Sequence, residues 1–200
     1  MKPQEEIINQ LRESLDIQSI SQIPELQDIG SYIELKDKYK KREIVFGFKF
    51  QDSIINNFGS TGEIALDKIL LFSPILIILL SILFAYTESQ YYFLFGVPIT
   101  LLAFLLTTPS IMKQGSSILG ISSLILLVFG IQYYFNDSLV GFLILSYSIP
   151  NLLITVNRKL NMQVFQRAIL TSEIIFIYYF LRGECYIKSL KNKKLYTRKT

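Results

Sequence analysis

The chain contains no histidine and a single cysteine, Cys185. Without an imidazole there is no histidine general acid or base, no Ser-His or Cys-His nucleophile, and no histidine metal ligand. One cysteine excludes a disulfide within the chain and any cysteine metal cluster. No base stands beside Cys185 in the sequence, so it reads as an ordinary buried thiol in a strand. No catalytic set, cofactor or metal is expected.

Charge is just as scarce in the middle of the chain. Among residues 69–157 only Glu88, Lys113 and Asp137 are charged, although the whole sequence of 200 residues carries 20 basic and 16 acidic ones. The first 60 residues lack an apolar run that would serve as a signal peptide, so the first apolar run is expected to direct insertion. Position 2 is Lys2 and the sequence ends Tyr196-Thr197-Arg198-Lys199-Thr200, so no lipidation motif is expected either. Gly59-Ser60-Thr61-Gly62 lacks the Gly-Lys-Ser/Thr ending of a phosphate-binding loop and reads as a linker.

What fills the middle is apolar. Four runs, 69–86, 91–112, 116–135 and 139–156, are each close to the roughly 20 residues needed to cross a bilayer as a helix. None alternates as a barrel strand would. The links between them are short, which makes neighbours antiparallel. The sequence therefore predicts an all-α membrane protein, a four-helix transmembrane bundle over 68–157, flanked by segments 1–67 and 158–200 that form a small α+β cytosolic subdomain. Nine of the basic residues precede residue 69, Lys113 falls in the middle link, and ten follow residue 157. On the positive-inside rule both termini are cytosolic. Tyr86, Tyr91, Tyr92, Tyr133 and Tyr134 fall at the opposite interface, where amphipathic rings settle.

A fifth apolar stretch, 164–181, contains Arg167 and Glu173. Each costs about 2.5–3.5 kcal/mol at a bilayer centre, and crossing would put the lysine-rich tail outside. It is expected instead as a helix over 163–181 that is cytosolic or lies at the membrane interface, with packing on the N-terminal segment as one arrangement. That segment is expected to hold an amphipathic helix over 4–15, a second helix from Pro24 to about Lys38, and a strand over 43–50 with Ile44, Phe46, Phe48 and Phe50 on one face. A hairpin is expected over 184–198.

Candidate functional residues follow from residue type and place. Ser116, Gly120, Ser123 and Gly130 form a small-residue face that lets helices approach closely, within or between subunits. Ser146, Ser148 and Asn151 would line a polar cavity or pore, and Pro150 frees the carbonyl of Ser146. Pro74, Pro98 and Pro109 add further breaks in the spans. Glu88 and Asp137 fall at loop tips. Lys36, Lys38, Lys40, Lys41 and Arg42 are a basic cluster suited to anionic lipid headgroups; interleaved acids argue against nucleic acid. These features predict a non-enzymatic membrane protein that self-associates as a homo-oligomer and binds a cytosolic protein partner, as anchor, sensor or effector. The alternative is an oligomeric channel or small transporter with a pore from spans three and four. An enzyme acting on lipid is the weakest reading. The topology alone resembles small four-span membrane subunits of prokaryotic defence or toxin systems, which implies an effector role. The absence of targeting signals fits a prokaryotic inner membrane.

Overall fold

The computed structural model describes residues 4–48, 53–87, 89–106 and 116–198. The chain is mostly helical with one small three-stranded sheet. In order the elements are α1 (Gln4–Glu13), α2 (Tyr32–Lys40), β1 (Ile44–Phe48), α3 (Ser53–Phe58), α4 (Thr61–Thr87), α5 (Gly96–Leu106), α6 (Ser116–Asn136), α7 (Ser138–Thr171), α8 (Glu173–Leu181), β2 (Cys185–Ser189) and β3 (Leu195–Tyr196). They divide into two compact units: a flanking unit of Met1–Ser60 with Asn161–Thr200, and a central unit of Thr61–Leu160.

The flanking unit is built from both sides of the apolar block. β1 pairs antiparallel with β2, Phe46 opposite Ile187, and β2 pairs antiparallel with β3, giving the order β1-β2-β3. Strand alternation sends Ile44, Phe46, Cys185, Ile187 and Tyr196 inward. There they meet Phe165, Ile169, Ile175, Phe176 and Phe180 of α7 and α8, together with Ile20, Leu26 and Leu35 of the N-terminal segment. Aromatic rings link the layers. Phe48 stacks on Phe165 at 4.6 Å, and Phe46 meets Phe176 edge-on at 6.1 Å. The stretch 164–181 is buried in this protein core, and its charge is used there: Glu173 Oε1 accepts the Ile20 N–H at 2.8 Å. The Tyr32 hydroxyl donates to the Ile169 carbonyl at 2.7 Å. Burial, and secondarily the Glu173 carboxylate, hold that phenol above its ordinary pKa.

Several element boundaries differ from those the sequence predicts. The helix expected from Pro24 to Lys38 is a short 3-10 turn, Pro24–Leu26, followed by α2. Gly30 separates them at φ 84, a left-handed conformation that no continuous helix contains. Ser31 then caps α2 by accepting the Glu34 N–H. The helix expected over 163–181 does not start there. α7 runs unbroken from Ser138 through the polar residues Asn157 to Asn161, because no glycine or proline interrupts them, and the break falls at Ser172, whose backbone is extended. β1 begins at Ile44, one residue later than expected; residues 49 and 50 of the expected strand lie outside the described residues, and the hairpin keeps only two residues of its last strand.

In the central unit two helices are long and apolar enough to cross a membrane, Thr61–Thr87 and Ser138–Thr171, and two shorter apolar helical stretches are Tyr91–Ala103 and Gly120–Asn136. The run 91–112 opens as a 3-10 helix, Tyr91–Phe95, before α5, and 107–115, with Pro109 and Lys113, lie outside the described residues. Two spans of sufficient length are what the described residues contain, against four expected.

Candidate functional site

The central unit places its polar side chains inside and its large apolar ones outside. Ser73, Ser81, Thr100, Ser123, Ser146, Ser148 and Asn151 are all buried. Ile69, Phe72, Leu79, Ile125 and Val128 are exposed by half or more. A soluble fold shows the reverse.

The prolines explain part of this polar interior. Pro74 has no N–H for the carbonyl of Leu70, and Ser73 Oγ donates to that carbonyl at 2.7 Å. Pro150 leaves the Ser146 carbonyl free, and Thr100 Oγ1 reaches it from α5 at 3.1 Å. Each carbonyl that a proline leaves free is thus satisfied by a hydroxyl, the second one across two helices. We expect Thr100→Val to cost about 1–3 kcal/mol, the penalty for orphaning a buried carbonyl. Pro150→Ala supplies the missing N–H, so the same substitution in that background should cost much less. Thermal unfolding of the four proteins in one detergent checks this; equal costs in both backgrounds would remove the proposed role of Thr100.

Around this bond the helices are tight. A Cβ on Gly120 would lie 3.1 Å from Thr155 Cγ2, and one on Gly130 would lie 2.9 Å from Leu145 Cδ2. Gly120, Ser123 and Gly130 therefore face α7 of the same chain. Ser116 starts α6, and its side chain lies outside the described ones. This antiparallel register brings Ser123 to the level of Leu152, within a turn of Asn151. Ser148 Oγ, Asn151 Oδ1 and Ser123 Oγ have no hydrogen-bond partner among the described residues, while Asn151 Nδ2 donates to the Tyr147 carbonyl at 3.1 Å. Ser146 Oγ is satisfied by the Phe142 carbonyl. Nearby, an apolar cavity of about 220 Å³ is lined by Ile77, Leu80, Phe84, Phe142, Leu145 and Ile149, with Tyr134 and Ser146 at its walls. The groups gathered here are hydroxyls and one carboxamide. They can hold water or a hydroxyl-bearing molecule, and none is a base.

At one end of the unit, Phe84, Phe93 and Phe142 pack with centroids 5.2–5.7 Å apart. Asp137 caps α7 there, its Oδ1 accepting the N–H groups of Leu139 and Val140. Glu88 lies outside the described residues. At the other end, Asn157 Nδ2 donates to Asp67 Oδ1 at 2.8 Å, joining α7 to α4.

The basic cluster of α2 is only partly free. Lys36 lies over the Tyr32 ring at 4.7 Å, and Lys38 Nζ donates to the carbonyls of Asp28 and Ile29. Lys40, Lys41 and Arg42 are exposed. Cys185 is fully buried, and burial pushes its thiol pKa up, away from reactivity.

Sequence reasoning did not single out Thr100, Ser73 or the Asn157–Asp67 link. The signal for Ser73 was available, since a hydroxyl directly before a proline sits one turn from the carbonyl that the proline frees. Thr100 carries no such local mark. No protein-family model matches this chain, and neither a curated protein nor a solved structure is similar to it.

Proposed function

We propose that the chain is a non-enzymatic, multi-pass membrane protein. Its central unit is a four-span bundle, and its flanking unit is a folded cytosolic module that binds a protein partner, as anchor, sensor or effector. The inside-out placement of side chains in Thr61–Leu160 carries this reading: hydroxyls and an amide within, leucine, isoleucine and phenylalanine without. In lipid such a surface has its proper solvent. In water it would be an apolar patch far larger than a monomer tolerates.

The sheet supports an even number of crossings. β1 precedes every candidate span and β2 follows them, yet the two strands pair. Both ends must then lie on one side of the membrane, which allows two crossings or four. The two shorter apolar stretches favour four, because a lone pair of spans would leave them in water. The basic residues choose the cytosol for that side.

A homo-oligomeric channel with Ser146, Ser148 and Asn151 in a pore between subunits would need them on the outer face of the bundle. Their burial inside one chain is why the anchor reading is preferred. The face Gly120-Ser123-Gly130 is likewise occupied within the chain, so self-association would require another surface.

The test is topological. A membrane-impermeant thiol reagent is applied to cysteines introduced at Asp137 and at Lys199 in intact cells. Labelling from outside at position 137 and protection at 199 are expected, with the chain retained in the membrane after carbonate extraction. Labelling of both positions from outside, or release by carbonate, would overturn the proposal.

A further inference from the structure

Two basic runs far apart in the sequence meet at one end of the sheet. The Leu190 N–H donates to the Glu43 carbonyl at 2.7 Å, and Ile44 lies opposite Ser189. The turn carrying Lys41 and Arg42 is thereby set beside the hairpin turn carrying Lys191 and Lys193. All four side chains are exposed. On the outward face of the sheet Lys188 stands directly between Val45 and Leu195 in the pairing register. Apolar side chains share this surface: Leu195 is 54% exposed, Leu190 50% and Val45 38%. Two neighbouring lysines are already engaged, Lys194 with Asp28 and Lys38 with backbone carbonyls, so they brace the fold. Glu43 is the acid at this strand end and Asp28 is held by Lys194, against the five basic groups Lys41, Arg42, Lys188, Lys191 and Lys193.

We infer that this end of the sheet docks on an anionic lipid surface. The charge calls for an anionic counterpart, which excludes a second copy of the same face. The alternation of lysine with leucine and valine suits the boundary between headgroups and acyl chains, where apolar side chains enter and ammonium groups stay with phosphate. A nucleic-acid surface would be richer in arginine and exposed aromatic rings; Arg42 is the one arginine in this set, and Tyr186 the one aromatic on the outward face of β2. The inference rests on the membrane reading above, and it enlarges the basic cluster of α2: Lys41 and Arg42 belong to a site completed by Lys188, Lys191 and Lys193.

The experiment places an environment-sensitive fluorophore on the full chain through Leu195→Cys. The native thiol of Cys185 is buried and stays unlabelled. The protein is set in nanodiscs of phosphatidylcholine alone or mixed with phosphatidylglycerol. A blue shift and quenching by brominated acyl chains are expected only in the anionic discs, reversed by salt. Each basic residue removed among Lys41, Arg42, Lys191 and Lys193 should weaken docking about fivefold. Identical emission in both discs, or an undiminished shift in the fourfold alanine variant, would overturn the inference. So would a response to added polyuridylate in neutral discs without one to anionic lipid. A chain extracted by carbonate would instead sink the membrane reading itself, which keeps the two failures distinct.

Discussion

Gly141→Ala should loosen the α6–α7 hairpin and lower the melting temperature of the central unit, although alanine is the better helix former. A Cβ at position 141 would clash with the backbone nitrogen and the Cα of Tyr134. Both atoms belong to the facing helix, so no rotamer change relieves the clash. The helices must separate by on the order of an ångström, forfeiting a large part of their contact energy. Propensity offers a gain of about 0.8–1 kcal/mol. Overpacking in a tight interface costs about 1–3 kcal/mol, and more against a rigid backbone. The clash should win. Gly62→Ala is the control, because nothing lies within 4 Å of the added methyl. Thermal unfolding of both variants in detergent decides the matter. A Gly141→Ala protein that melts at or above the parent temperature would show that the helices do not approach so closely.

The second large effect belongs to Phe176→Ala. Its ring is fully buried between Phe46, which comes from before the spans, and Phe180, which comes after them. Truncating such a ring costs about 3–5 kcal/mol. A domain of this size is stable by about 5–15 kcal/mol, so the flanking unit would lose a large share of its stability. Because one core joins both chain segments, they should fail together. Limited proteolysis of the reconstituted protein should cut within 4–48 and within 161–198 at matching rates, leaving α4 and α6 protected. Cleavage confined to the C-terminal segment would mean that the two segments fold separately. Phe176→Leu, which keeps most of the volume, should cost less than about 1.5 kcal/mol.

Much of this arrangement was legible in the chain, for identifiable reasons. The apolar runs show themselves by length, and the stretch 164–181 is separated from them by Arg167 and Glu173, whose charges need partners. The structure gives Glu173 a backbone amide from Ile20. The alternation of Ile44, Phe46 and Phe48 announced a strand with one buried face. What remained hidden depends on distant partners. Nothing near Thr100 says that it will meet a carbonyl freed 50 residues later by Pro150. The continuity of α7 through Asn157-Arg158-Lys159 was missed because polarity suggested a break, whereas helices end on backbone grounds. The proline start at Pro24 predicts a helix through Gly30, because a positive φ leaves no mark in the sequence pattern. The meeting of Lys41 and Arg42 with Lys191 and Lys193 required the strand register.

The pairing of β1 with β2 also sets a schedule for synthesis. When β1 leaves the ribosome, its partner strand lies some 140 residues downstream, about 7–28 s away at 5–20 residues per second. During that interval Ile20, Leu26, Leu35 and Phe46 have no core to enter. Until then the N-terminal segment is a half-domain whose apolar side chains need another cover. Under the proposed topology, its completion marks the moment when every intervening helix has been inserted with the right parity. On that topology a missed crossing would strand the two halves on opposite sides and leave the first open to proteases, so strand pairing would report on the helices between.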